Sequence, residues 1–135
     1  MAEDPAFSDT AKLAQAGLAT TNAKRYRLVH MADIAGTPCP CGLAKRAFTD
    51  EPDQITSMHV TEIHHDSKTH YHKTMTELYY VLSGEGTMEL DGDSFLIQQG
   101  SAIMIRPGCR HRAVGKLTML IVPIPAFDPN DEWFD

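Results

Sequence analysis

His70-Tyr71-His72-Lys73-Thr74-Met75-Thr76-Glu77-Leu78-Tyr79-Tyr80-Val81-Leu82-Ser83-Gly84 is the stretch from which both fold and chemistry can be read. Two histidines stand at i and i+2, so an extended strand points both rings to one face. Glu77 follows His72 at an odd spacing, which in an unbroken strand would place it on the opposite face. A short turn within Lys73 to Thr76 resets that parity and returns the carboxylate to the rings. The alternating run Leu78 to Leu82 then ends at Gly84. Downstream, Pro107-Gly108-Cys109-Arg110-His111 brings one more imidazole just after a tight turn. His70, His72, Glu77 and His111 together make three nitrogens and one carboxylate, a donor set suited to a divalent transition metal. Imidazole plus carboxylate fits Fe, Mn, Zn, Ni or Co, with cellular supply deciding among them.

The pattern resembles the two motifs of the cupin superfamily. The first motif runs G-x(5)-H-x-H-x(3,4)-E-x(6)-G; His70, His72, Glu77 and Gly84 match it, and His64 stands where the leading glycine belongs. The second runs G-x(5)-P-x-G-x(2)-H-x(3)-N. Gly100, Gly108 and His111 match; Arg106 replaces the first proline and Gly115 the asparagine, while Pro107 keeps a proline in the turn. All departures fall at turn or framework positions. The resemblance implies an all-β, double-stranded β-helix (jelly-roll) barrel with a metal in its mouth, and a homodimer. It leaves function open, because cupins include dioxygenases, isomerases, lyases, decarboxylases, sugar-binding regulators and seed storage proteins.

Punctuation downstream of Glu77 agrees with an antiparallel sandwich or barrel. Turn signals fall at Ser83 to Gly86, Asp91-Gly92, Gln99-Gly100, Pro107-Gly108 and Gly115, roughly every eight residues. Asp91-Gly92 predicts a type I′ hairpin between strands at Thr87 to Leu90 and Asp93 to Gln98. Further strands are expected at Ala102 to Arg106, Cys109 to Val114 and Lys116 to Val122, with Pro123 and Pro125 stopping the last. Upstream, Lys24 to Met31, Ala44 to Thr49 and Ile55 to His64 read as strands. Asp33 to Gly42, with two glycines and two prolines, reads as a loop. Ser8 or Asp9 caps a short helix through Ala16 that lies outside the core. The chain therefore divides into an extension over 1–22, a barrel over 23–125 and an acidic, aromatic tail over 126–135. For that tail the sequence favours packing or dimerisation over a lid on the site.

The 135 residues suffice for one domain. A net charge of −6 argues against nucleic acid as a partner. No apolar run is long enough for a transmembrane helix, and the acidic start lacks a signal-peptide core, so a cytoplasmic location is expected. Cys39, Cys41 and Cys109 are too few and oddly spaced for a disulfide framework or a zinc clip, and are read as reduced thiols. Lys45-Arg46 reads as a solvated basic pair, with an anion site as the other reading.

Tyr79 and Val81 share the parity of Glu77 and face inward, as does Ala113 after His111. Tyr79, His59 and Met104 are the candidate contacts to a bound small molecule, each also explicable as core or framework. The function expected is a metal-dependent enzyme of dioxygenase, isomerase or lyase type on a small oxygen-rich substrate. The alternative is a non-catalytic module that binds or senses a small ligand at the same site.

Overall fold

A computed structural model describes residues 24–64 and 67–135. The helix expected between Ser8 and Ala16 lies outside the described residues. In chain order the strands are β1 (Thr37–Cys39), β2 (Gly42–Ala47), β3 (Met58–Ile63), β4 (Thr76–Leu90), β5 (Asp93–Gln98), β6 (Ala102–Ile105) and β7 (His111–Ile124). All pairings are antiparallel, in the order β1-β2-β3-β7-β4-β5, with β6 also on β4. The two long strands β4 and β7 pair along nearly their whole length, from Thr76 opposite Ile124 to Leu90 opposite His111. Their first and last halves have different neighbours. Near Tyr79 and Ile121 the pair is flanked by β6 on one side and by β3, β2 and β1 on the other. Near Met88 and Ala113 the flank is β5. The two halves fold over one another, and their inner faces share one core of Ile63, Tyr79, Val81, Met88, Ile97, Ile105, Ala113, Leu117, Met119 and Ile121. This is the jelly-roll barrel expected from the sequence.

A single β-bulge makes that possible. The register of β4 on β7 runs Val81↔Met119 and then Ser83↔Thr118, so Leu82 is an extra residue on β4. Before it the odd positions Glu77, Tyr79 and Val81 are buried; after it the even position Met88 is. A strand whose side chains alternate can keep one face in the core only if such an insertion accompanies its bend.

Several expected turns are absent as a result. Ser83 to Gly86 and Gly115 do not interrupt the chain; they lie inside β4 and β7. Gly86 faces Gly115 across the ladder, and a Cβ on Gly86 would stand 2.2 Å from the Val114 carbonyl oxygen. Glycine here permits close approach of two backbones rather than chain reversal. The Asp91-Gly92 hairpin forms as expected, with φ of 49° and 87°, both positive as a type I′ turn requires. Lys24 to Met31 belongs to no strand, and Arg27 ties it down by ion pairs to Asp50 and Glu51. Within the expected loop, Thr37–Cys39 forms the short edge strand β1, which tolerates Pro38 because an edge leaves one side unpaired. β7 runs through Pro123 to Ile124, past Ile121 where its pairing with β3 ends.

The tail closes over the barrel mouth. Tyr71 and Trp133 exchange both backbone hydrogen bonds, at 3.0 and 2.9 Å. The buried Asp131 carboxylate accepts from the amides of Lys73, Thr74 and Met75 at 2.8, 3.0 and 3.0 Å, and from the Trp133 indole at 3.1 Å. Burial alone would push this carboxyl up; the amides of Lys73, Met75 and Thr74 and the Trp133 N–H outweigh it and hold it below its ordinary value. That stabilisation is complete above the unfolded carboxyl value of about 3.9 and is lost as pH falls through the lower folded one. Asp131→Ala strands three amides at the 73–75 turn, and is expected to cost about 2–4 kcal/mol in chemical denaturation at neutral pH, with the difference shrinking toward pH 2.

Candidate metal centre

The turn at Lys73 and Thr74 does what the odd spacing of His72 and Glu77 required: His70, His72, Glu77 and His111 face one another inside the mouth. His70 is held by mutual backbone hydrogen bonds with His111, at 3.1 and 2.9 Å. The amide of Gly108 donates to the His72 carbonyl at 2.7 Å, docking the glycine turn against the histidine segment. Ring centroids of His70 lie 5.2 Å from His72 and 4.4 Å from His111, and those of His72 and His111 are 5.5 Å apart. One ligand nitrogen from each ring falls within 4.8 Å of the others. Glu77 Oε2 stands 3.2 Å from His72 Nε2 and 3.1 Å from His111 Nε2.

The far nitrogen of every ring is engaged with a backbone carbonyl. Nδ1 of His70 contacts the Lys68 oxygen at 2.9 Å, Nδ1 of His72 the Asp131 oxygen at 2.6 Å, and Nδ1 of His111 the Cys109 oxygen at 2.9 Å. A carbonyl can only accept, so each Nδ1 carries a proton, and in its neutral form each ring presents an Nε2 lone pair. In that form the centre gathers acceptors only. His72 Nε2, His111 Nε2 and Glu77 Oε2 are buried without a hydrogen-bond partner, because their contacts, though short, lack hydrogen-bond alignment. Lone pairs converging in a buried pocket are costly unless a cation joins them.

Electrostatics within the cluster follow from burial and proximity. Burial pushes the Glu77 carboxyl up, yet His111 and His72 override it and hold it at about 2. Burial lowers His72, and Glu77 more than restores it, so its net shift is upward. His70 is lowered, first by burial and then by His111. The Tyr79 phenol is pushed well above its ordinary value by burial and by Glu77. Its ring meets His111 edge-on at 6.0 Å.

A cavity of about 90 Å³ adjoins the centre and is lined by Arg46, His59, Tyr79, Phe127 and Glu132 besides His70, His72 and Glu77. His59 is buried in its wall, with Nε2 2.9 Å from Ser57 Oγ. Met104 is not there. It pairs with Leu78 on the outer face of β4 and β6 and is 58% exposed; strand alternation puts Ile103, opposite Tyr79, on the inner side instead. Cys39 and Cys41 are free thiols with Sγ atoms 2.8 Å apart at the cavity rim. Burial, then Cys39, pushes the Cys41 thiol up to about 12. Two contributors escaped the sequence reading. Asp131 orients His72, and Glu132 brings a second carboxylate 4.0 Å from His70 Nε2; Arg46, read as solvated or as an anion site, lines the cavity. The tail's acidic composition hinted at those two, but nothing in spacing linked it to the histidines.

Comparison with known proteins agrees with the fold. The cupin domain family model matches residues 58–122. A solved structure of a protein from Planctomyces limnophilus is 39% identical, covers 81% of this chain and 96% of its own, and superposes with a TM-score of 0.75. An uncharacterised protein of Methanocaldococcus jannaschii is 44% identical over 48 residues; that match spans 34% of this chain and 38% of the relative's length. Two enzymes share the fold at low identity. The nucleoside dehydratase Pac13 of Streptomyces is 17% identical with a TM-score of 0.68, covering 82% of this chain and 90% of its own. Ectoine synthase from P. lautus is 18% identical with a TM-score of 0.68, covering 80% and 88%. With two histidine motifs in register, one jelly roll and three imidazoles meeting in its mouth, the chain belongs to the cupins.

Proposed function

We propose that the chain holds a divalent transition metal (Fe, Mn, Zn, Ni or Co) through His70, His72, His111 and Glu77, and acts as a metal-dependent enzyme of dioxygenase, isomerase or lyase type on a small oxygen-rich substrate. The observation that carries this reading is the set of three Nδ1 to carbonyl contacts, which fix the tautomer that directs every Nε2 lone pair inward. When bound, the metal supplies Lewis-acid chemistry to an oxygen of the ligand. The chain's own part is positioning. Glu77 contributes a carboxylate charge, and Tyr79 and Ile121 wall the cavity against water. Glu132, reaching in from the tail, offers a carboxylate beside His70 that a substrate proton can reach.

A second reading, a binding or sensing module without turnover, draws on one observation. In the cavity wall the Tyr79 phenol is held high and burial, with Arg46, holds His59 down at about 4, so neither titrates near neutral pH. A homodimer is part of the proposal, supported by the apolar outer face of Leu78, Tyr80, Met104, Leu120 and Val122.

Protein purified without chelator or metal resin is expected to carry about one transition metal per chain by elemental analysis. His72→Ala is expected to lower metal affinity at least about a hundredfold while leaving the far-ultraviolet circular dichroism intact. A wild-type chain that neither retains nor takes up any such metal would remove the reading. Turnover of, or metal-dependent oxygen uptake with, a panel of dicarbonyls, hydroxy acids and sugars separates the enzyme from the binding module.

Metal affinity is expected to fall with acidification. Protons compete with the ion for imidazole nitrogen, and His72, raised by Glu77 in the metal-free protein, takes one up more readily than His70, which burial and His111 hold down; Glu77 stays ionised throughout. Equilibrium dialysis at pH 7.5 and pH 5 measures this, and equal affinity at both would exclude imidazole ligation.

A further inference from the structure

Four strands contribute one row of inward residues that runs away from the metal ligands. Tyr79 on β4 pairs with Ile121 on β7, Ile121 with His59 on β3, and His59 with Arg46 on β2. All four line the same cavity as His70, His72 and Glu77. The row thus ends in a cation on the inner surface of the barrel, where the sequence suggested a solvated one.

Arg46 differs from Arg27, Arg110 and Arg112. Arg27 meets Asp50 and Glu51, Arg110 meets Asp135, and Arg112 meets Glu89. The Arg46 side chain has no ion pair or hydrogen bond with another described residue, and its buried Nε–H lacks a partner. Its guanidinium lies over the Phe127 ring at 4.6 Å, which covers one face of the plane but satisfies none of the N–H groups along its edge. A buried donor left unpaired costs free energy that a ligand acceptor would recover.

His59 supplies a neutral donor beside it. The Phe127 amide donates to Ser57 Oγ at 2.9 Å, and His59 Nε2 stands 2.9 Å from the same oxygen. The tautomer that gives the fully buried Ser57 hydroxyl an acceptor is the one with the His59 proton on Nδ1, which makes no bond to a described residue. With a divalent ion in place the charges around the cavity also favour an anion. The ion and Arg46 bring three positive charges and Glu77 one negative, while Lys68 and Glu132 offset one another.

We propose that the ligand of this cavity is a small organic carboxylate bearing a second oxygen, such as a 2-hydroxy or 2-oxo acid, with its carboxylate held by the Arg46 fork and the His59 N–H and its other oxygen directed to the metal centre. This rests on the metal reading for the second oxygen and on the chain's own residues for the carboxylate. A planar carboxylate matches the guanidinium edge with two parallel hydrogen bonds. The cavity, about 90 Å³, sets the scale of a ligand with few heavy atoms.

The test uses glycolate and its neutral counterpart hydroxyacetone, titrated by calorimetry into cobalt-loaded wild type, Arg46→Met and Arg46→Lys. Wild type is expected to prefer glycolate by about ten- to a hundredfold, R46M to lose that preference, and R46K to keep part of it, because a point charge lacks the fork. Cobalt affinity, measured first, is expected to be the same in all three. Wild type binding both compounds alike, or R46M binding glycolate as tightly as wild type, would overturn the proposal; so would inorganic phosphate outcompeting glycolate. If wild type takes up no cobalt, the metal reading fails by itself, and the same comparison on the metal-free chains still decides whether Arg46 selects the carboxylate. Should R46M not fold, R46K binding glycolate with undiminished affinity overturns the proposal alone.

Discussion

The candidate centre depends on one carboxylate that never enters it. Asp131 accepts from three successive amides, Lys73 to Met75, and so gives the chain the bend that lies between His72 and Glu77. Its own carbonyl accepts from His72 Nδ1. The same residue therefore shapes the turn that returns the glutamate to the rings and fixes which nitrogen of His72 faces inward. Charge-assisted hydrogen bonds to backbone amides are among the stronger ones available to a buried side chain, which suits a position on which two ligands depend.

The rest of the site follows from two long strands. β4 delivers Glu77 and Tyr79, and β7 opens on His111. Their mutual pairing sets the register in which those residues meet, and the Leu82 bulge lets the pair bend around the core without turning its buried face outward. Each imidazole is then steered by a different carbonyl, from Lys68, Asp131 and Cys109. The geometry is set by backbone, so the orientation of the rings does not depend on the rotamers of flexible partners.

What the sequence made legible was governed by local alternation. The i, i+2 histidines, the parity reset before Glu77 and the inward row of Tyr79, Val81 and Ala113 all rest on a two-residue period. The structure places each of these side chains on the inner face. Glycine was harder to read. Asp91-Gly92 is a turn, but Gly86 and Gly115 are contact points between strands, Gly115 with a φ of 115° as well, and composition does not distinguish a glycine that reverses the chain from one that lets two backbones approach. Met104 was misjudged because its strand parity could not be tied to that of β4 without the pairing. Asp131 was hidden, and the choice between the two readings of Arg46 was left open, for another reason: their significance lies in what they meet across the fold, and no spacing along the chain encodes that.

The mutual backbone bonds of His70 and His111 bear on the order of events when the protein matures. These residues stand far apart along the chain, and closing that loop carries an entropic cost that the β4–β7 ladder offsets before either ring has anything to bind. In small zinc domains, by contrast, the ion and the fold appear together because nearby ligands nucleate both. On the proposed metal reading, an ion would meet a barrel that the β4–β7 ladder already holds together. Occupancy would then add to a stability that already exists, growing with the logarithm of free metal rather than switching folding on.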